Sequence, residues 1–381
     1  ERDPSKIRFE PLPEGVVGLR TPPGGGRVAE EQSIVALSDG SIYCVYRTVD
    51  GHPCHAYSRD GGRTWSPPAY KAFTPGGRLF KHPRAANFVW KCSNGQYLYW
   101  FHNHGGRFVR RLTPGWPGGG SPYDDRNPAW LCAGTEHDST AGKVIHWSQP
   151  EILLYDDDPF IRMSYPDLVE DGGKFYVTET QKNIGRVHEI SPALLDSLFH
   201  QRDNRAVTRA GLMLNLPGNQ PMPKEVPMPM LPELLARDGR RPDHGGKDLR
   251  AGFTFDLWLR LDSLAPGLPL LDSRDPSGKG VLVATTPCGT IGIILNDGRT
   301  ECSWDSDVGA VQAGRRHHVV IVVDGGPKII TFIVDGVLGD GGEERQFGWG
   351  RVSPNLRAPN PDPVAGPDTK PKVRIAPGVA S

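Results

Sequence analysis

The stretch Ser58-Arg59-Asp60-Gly61-Gly62-Arg63-Thr64-Trp65 decides the reading of the fold. Its form, Ser-x-Asp-x-Gly-x-x-Trp, is that of a β-hairpin turn. The Asp60 carboxylate can accept backbone N–H groups, Gly61 and Gly62 can take positive φ without steric cost, and Trp65 can pack beneath the turn. Outward from it, short apolar or aromatic segments recur between Gly-, Pro- and Asp-rich turns, at 33–37, 41–46, 87–90, 97–101, 129–132, 151–155 and 174–178. Strands of this length and spacing predict a sandwich, barrel or propeller. One short helix is expected at 192–199, with Ser191 as its cap and Pro192 in the first helical position.

Composition agrees. Glycine (47) and proline (37) take more than a fifth of the 381 residues, nearly twice the usual share of about 12%. That excess of turn formers argues against a helical bundle and for a mainly β protein of one to three domains. Lys+Arg and Asp+Glu stand at 44 each, so charge gives no reason to expect nucleic acid or an anionic membrane as partner. The longest apolar runs, such as 319–323, fall far below the roughly 18 residues of a membrane helix, and no membrane insertion is expected. The chain opens at Glu1 without a basic-then-apolar leader, which leaves a removed leader and a trimmed chain both open. None of the six cysteines sits in a Cys-x-x-Cys or Cys/His zinc pattern. A Cys288–Cys302 disulfide and buried free thiols both remain open.

A second region follows a Pro- and Met-rich stretch (217–232) and a charged segment (237–250). Phe253, Phe255, Leu257, Leu259 and Leu261 can share one face of a strand, with Thr254 and Arg260 on the other. Further strands are expected at 280–285, 290–295, 317–323 and 328–334, with tight turns at Asn296-Asp297-Gly298 and Asp324-Gly325-Gly326. The Pro-rich end, 353–381, reads as extended or partly disordered. The expected division is a first domain at 1–215, a linker at 216–250, a second domain at 251–365 and a tail at 366–381.

The turn at 58–65 resembles the Asp-box of the sialidase superfamily, whose β-propeller blades carry it on the rim away from the active site. Trp147-Ser148-Gln149-Pro150 echoes Trp65-Ser66-Pro67-Pro68 as a degenerate second blade mark. Residues 33–43 are similar to a sialidase opening blade and 164–176 to a later one. The resemblance covers about residues 25–190. At roughly 40–45 residues per blade it implies four or five blades, short of the six of sialidases, so a segment is missing or strands come from elsewhere. The second region resembles a laminin-G/concanavalin-like jelly roll in Phe253–Leu259, in Arg316-His317-His318-Val319-Val320 (Arg where Trp is common) and in Val334-Asp335-Gly336. The expected fold is therefore all-β, an incomplete sialidase-like β-propeller followed by a β-jelly-roll.

The resemblance implies an arginine cluster gripping a carboxylate, an Asp acid/base, and a Tyr–Glu nucleophile pair. Bidentate guanidinium matches carboxylate, and a phenol of pKa about 10 needs a base beside it. The positions that match are Arg27, before the first strand, and Asp50, on the loop after Arg47, as acid/base. Tyr165 matches as nucleophile with Glu179 as partner, and Arg84 and Arg126 stand at strand starts. Arg47 and Arg186 join the substrate-binding set. A second constellation competes: His82, with His102 and His104 on one face of a strand end and Asn103 pointing away. No third ligand accompanies the histidines at diagnostic spacing, so no metal and no cofactor is expected. Asp156-Asp157-Asp158 offers oxygens to calcium but lacks a loop pattern and reads as a solvated turn, Gly24–Gly26 and Gly118–Gly120 are not phosphate loops, and Trp90, Trp116 and Trp130 are either core or sugar platforms.

Three functions remain open. The first is an exo-acting glycoside hydrolase on an acidic or deoxy-sugar glycan. The second is a polysaccharide lyase that neutralises a uronate with Arg and abstracts its C5 proton with His and Tyr, in which Arg186 serves as well. The third is a non-catalytic glycan-binding module. An oligosaccharide or polysaccharide is the expected partner in each, and a secreted or periplasmic location is expected. Oligomeric state is not legible.

Overall fold

The computed structural model describes residues 3–13, 18–106, 126–156, 161–180, 184–204, 208–218, 220–234, 251–363 and 371–376. Trp116, Gly118–Gly120, Asp157 and Asp158 lie outside the described residues. Two compact units are present, residues 1–154 with 159–205, and residues 155–158 with 206–381. Both are built almost wholly of antiparallel strands. Among the described residues no helix is long and apolar enough to cross a membrane.

The first unit holds three sheets in chain order. The first is β1 (Ser33–Ala36), β2 (Ile42–Tyr46), β3 (Cys54–Ser58) and β4 (Ala69–Tyr70). The second comprises β5 (Phe88–Lys91), β6 (Tyr97–Phe101), β7 (Ala129–Ser139), β8 (Gly142–Trp147) and β9 (Glu151–Leu154). The third is β10 (Ser164–Asp171), β11 (Lys174–Thr180) and β12 (Gly185–Glu189). The first strands β1, β5 and β10 abut in that order, as the inner strands of neighbouring propeller blades do. Among the described residues three sheets stand where four or five blades were expected. The cause is β7, whose 11 residues are long enough for β8 and β9 to share one edge end to end, so five strands close one sheet.

Antiparallel pairing fixes which residues can meet. In each sheet the start of the first strand lies beside the end of the second, on one rim. The end of β3 lies on the opposite rim, and there the 58–65 turn folds as its chemistry dictates. Asp60 accepts the Thr64 N–H (2.9 Å) and hydroxyl (2.6 Å), and Ser58 Oγ donates to Asp60 (2.8 Å) while accepting the Gly62 N–H (2.8 Å). Gly61 and Gly62 have φ of 73° and 93°, and Trp65 Nε1 donates to the Gly62 carbonyl (3.0 Å). These donors hold the Asp60 carboxyl down at about 2.

An aromatic layer of Tyr43, Phe80, Tyr99, Phe101 and Trp147 joins the first two sheets. Lys71 is completely buried inside it. Its Nζ lies 3.6 Å from the Trp147 ring centroid, 4.3 Å from that of Tyr99 and 4.4 Å from that of Phe80, and donates to the Tyr43 hydroxyl at 3.2 Å. The helix α1 spans Pro192–Phe199 and buries Leu195 and Leu198 in the core shared by Leu98, Trp100, Leu131 and Val177. Ser191 occupies the cap position, but its side chain makes no capping bond; only its carbonyl engages the helix, accepting the Leu195 N–H at 3.1 Å.

The second unit is a sandwich of two antiparallel sheets. It uses β13 (Glu225–Pro227), β14 (Phe253–Arg260), β15 (Pro269–Asp272), β16 (Gly280–Thr285), β17 (Ile291–Asn296), β18 (Glu301–Asp305), β19 (Arg316–Asp324), β20 (Ile329–Val334), β21 (Val337–Leu338), β22 (Trp349–Arg351) and β23 (Lys372–Ile375). One sheet runs β13-β23-β15-β16-β17-β18 and the other β14-β19-β20-β21, with β22 on β20. Val283, Ile293, Val319, Ile321 and Phe332 form one core between them, and β14 alternates inward and outward along its length as its sequence pattern requires. Two expectations change. The linker at 216–250 contributes β13, and the tail at 366–381 contributes β23, which pairs with both β13 and β15. Lys372-Val373-Arg374-Ile375 alternates polar and apolar, which lets it bury Ile375 despite the prolines around it. Cys288 and Cys302 are free thiols.

Candidate functional site

The rim that carries the starts of β1, β5 and β10 gathers most of the polar residues singled out from sequence. Arg47 follows β2 and is buried. Its Nε donates to the Ala29 carbonyl, and its Nη1 stands 3.0 Å from Glu31 Oε2. Glu31 in turn accepts the Tyr165 hydroxyl at 3.1 Å through Oε1. One carboxylate thus links a buried guanidinium to a phenol, across 134 residues of sequence. Glu30 lies 3.8 Å from Arg47 on the exposed side.

Arg126, just before β7, is buried beside this chain. It donates to Ser164 Oγ and to the Arg84 carbonyl (3.3 Å). Burial pulls the Arg126 guanidinium below its usual pKa; Tyr165 and Glu31 push the other way, while Arg47 and Arg162 add to the fall. Arg47, Arg126, Glu31, Arg162 and Tyr165 therefore share one field. Tyr165 is 45% exposed, so its hydroxyl can be reached by a ligand. It sits in a β-bulge between Ser164 and Asp167, a device that re-aims a side chain.

Backbone strain concentrates here. Glu30 (φ 63°), Glu31 (61°), Asn103 (48°) and Tyr165 (49°) all lie in the left-handed region that non-glycine residues avoid. Such conformations persist where surrounding structure overrides their cost, and they cluster at functional sites.

The three histidines join the same rim. His82 Nε2 faces the Ala85 carbonyl at 2.8 Å, and a carbonyl only accepts, so Nε2 carries the hydrogen; Nδ1 accepts the His102 backbone N–H at 3.2 Å. His102 Nδ1 faces the Pro128 carbonyl at 3.3 Å, which leaves its Nε2 as a bare lone pair with no partner among the described residues. His104 Nδ1 accepts the Gly106 N–H at 3.0 Å. His82 and His102 stack with centroids 5.7 Å apart. The expected alternation fails: the chain leaves β6 at Phe101, and the left-handed turn at Asn103 buries Asn103 together with both histidines. Asn87, just before β5, is wholly buried, with neither amide atom partnered among the described residues.

Burial pushes His82 down to about 3, and His102 well below the usual imidazole value, with neighbouring His and Arg charges adding to both. Both rings are neutral at physiological pH. In the unfolded chain they bind protons near 6.5, so the unfolded state holds more protons between about 6.5 and 3. Stability is therefore full above 6.5 and falls as the pH drops through that window. The thermal midpoint is expected to be lower at about pH 5 than at about pH 7.5; a flat midpoint would show that the rings are not buried neutral.

Other expected members have different partners. Asp50 accepts the Gly26 N–H on both oxygens (2.9 and 3.0 Å) and the Tyr70 hydroxyl at 2.9 Å, so it clamps the 24–26 turn. Arg27, the next residue, is exposed. Glu179 is buried on β11, with Arg186 Nε and His188 Nε2 of β12 each 3.6 Å from its carboxylate. The register places Glu179 across from the bulged Tyr165–Pro166, but the Tyr165 hydroxyl turns to Glu31 instead. Glu31, Asn87 and Arg162 escaped the sequence reading; the one local signal was the acidic pair Glu30-Glu31 just ahead of β1. Among the described residues no group of three or more His, Cys, Asp or Glu could hold a metal ion.

No family model and no curated protein matches the chain. Among solved structures it is similar to the intramolecular trans-sialidase of Ruminococcus gnavus in complex with oseltamivir carboxylate, at 16% identity and a TM-score of 0.29, over 44% of this chain and 33% of that one. It is similar to the leech intramolecular trans-sialidase complexed with 2,7-anhydro-Neu5Ac at 17% identity and 0.29, over 45% and 24%. It is similar to Trypanosoma rangeli sialidase in complex with the inhibitor DANA at 12% and 0.26, over 92% and 58%. The chain spans a third or less of the first two.

Proposed function

We propose that the chain is a glycan-active enzyme of sialidase-like fold that takes an anionic sugar, with the three-sheet unit as an incomplete propeller and the sandwich as a laminin-G/concanavalin-like jelly roll. The observation that carries this reading is the Arg47–Glu31–Tyr165 chain beside Arg126. Arg126 and Arg47 supply the positive field for a carboxylate. Tyr165 is the nucleophile of a glycoside hydrolase: its oxygen bonds the anomeric carbon as the glycosidic bond breaks, its proton passes to Glu31, which takes the part expected of Glu179, and the departing aglycone oxygen takes up a proton through water to leave as an alcohol. Water then releases the sugar.

A lyase is the second reading, favoured by one observation. His102 has an unprotonated Nε2, unpartnered among the described residues, within the field of Arg126, a neutral base near a cation that can hold a carboxylate.

The test is incubation of the purified chain with sialosides, uronate polysaccharides and deoxy-sugar glycosides. New reducing ends without ultraviolet absorbance support the hydrolase. Absorbance of an unsaturated uronate rejects hydrolysis in favour of the lyase. Binding of several glycans with cleavage of none overturns both and leaves a glycan-binding module.

A further inference from the structure

The second unit contains a polar cavity of about 490 Å³ where the β17–β18 turn meets the 355–360 segment, within the size range of small-ligand sites. Its frame is held rigidly. Asp297 accepts the N–H groups of Arg299 (2.9 Å) and Thr300 (2.7 Å) on one oxygen and that of Arg357 (2.8 Å) on the other. Asn360 exchanges two hydrogen bonds with the Leu231 backbone, both at 2.9 Å. Lys279 is paired with Asp362.

What lines the cavity without being used by the frame is more telling. Asp297 is bonded to backbone donors and feels the Arg299 charge without a direct ion pair, and Lys279 is paired with Asp362. Among the described residues the guanidiniums of Arg299 and Arg357 have no hydrogen-bond or ion-pair partner, and both line the cavity. The frame therefore fixes two backbones whose side chains present unpaired bidentate donors over a preformed hollow. Glu233 and Thr300, also in the wall, offer an acceptor and a hydroxyl for sugar hydroxyls.

We propose that this cavity is a second glycan-binding site, distinct from the rim of the first unit, and that it takes the anionic substituent, carboxylate or sulfate, of an acidic polysaccharide through Arg299 and Arg357. Planar guanidiniums read such groups bidentately, and Glu233, Thr300 and Asn355 in the same wall can bond sugar hydroxyls, which a bare anion lacks. Its work is to hold the chain on a polymer.

The full chain is run in native gels containing a polyuronate, a sulfated galactan or a neutral glucan, and titrated with inorganic sulfate. Retention by either acidic polymer, weakening with added salt, is expected, and which polymer retains it identifies the substituent. Arg299→Ala and Arg357→Ala should each weaken retention about ten- to hundredfold, the loss of charge-assisted bonds, with turnover of a short soluble substrate unchanged. If the chain turns over nothing, retention is still read, so failure of the enzyme reading is separable. Equal retention by the neutral glucan, unchanged retention of the double variant, or binding of inorganic sulfate without polymer retention would overturn the proposal.

Discussion

Tyr165→Phe is expected to lower turnover of the anionic glycan at least about a hundredfold, with kcat falling and KM nearly unmoved. The split follows from position. Arg47 and Arg126 remain to bind the ground state, while the group that changes bonding in the transition state is gone. Folding should hardly notice, because a half-exposed hydroxyl gives up one hydrogen bond, about 0.5–1.5 kcal/mol. Glu31→Gln is the companion: its amide oxygen can still accept the phenol, yet it neither takes the proton nor pairs with the Arg47 charge. It should lose kcat and also stability, since it strands a buried guanidinium. Steady-state kinetics with a melting curve for each variant checks both. Full turnover by Tyr165→Phe would remove the phenol from the chemistry.

The largest stability effect belongs to Lys71. Burial pulls its pKa well below the usual lysine value. Two magnitudes compete. Cation–π contact with Trp147, Tyr99 and Phe80 is worth about 2 kcal/mol when desolvated, whereas burying an ammonium costs several. Desolvation wins, and the amine is held toward its neutral form. The unfolded chain keeps that proton up to about 10.4, so stability should rise as pH climbs from the depressed folded value to about 10.4. Lys71→Met fills similar volume without the charge. It is expected to gain about 1–4 kcal/mol near neutral pH, a gain that shrinks as the pH is raised. Urea unfolding of both proteins at several pH values measures it. A less stable Met variant would mean that the aromatic cage holds a charged lysine at a net profit.

How much of this was legible in sequence depended on whether the cause was local. The Asp60 turn, the helix over 192–199 and the alternation of β14 are set by neighbours in sequence, and the structure has each where its chemistry puts it. Sheet membership is a non-local choice. Nothing near Glu151–Leu154 says that it extends the edge of β7 rather than opening a new blade, and nothing near 372–375 says that it fills the gap between β13 and β15. The rim behaved likewise. Tyr165, Arg126, Arg47 and the histidines are residue types that advertise chemistry. Glu31 became visible only when folding brought it from the start of β1 to the bulge in β10, and Asn87 only when burial left its amide unpartnered. Asp50 was legible by loop position, whereas its hold on the Gly26 N–H and the Tyr70 hydroxyl appears only in the fold.

A crystal structure of the chain soaked with a stable carboxylated sugar bears most directly on the central idea, that Arg47, Glu31, Arg126 and Tyr165 act together on an anion. The expected result is the carboxylate in hydrogen-bond contact with the Arg126 or Arg47 guanidinium and the anomeric carbon facing the Tyr165 hydroxyl. A sugar acid that leaves this rim empty at saturating concentration, or that turns its carboxylate away from both arginines, would contradict it.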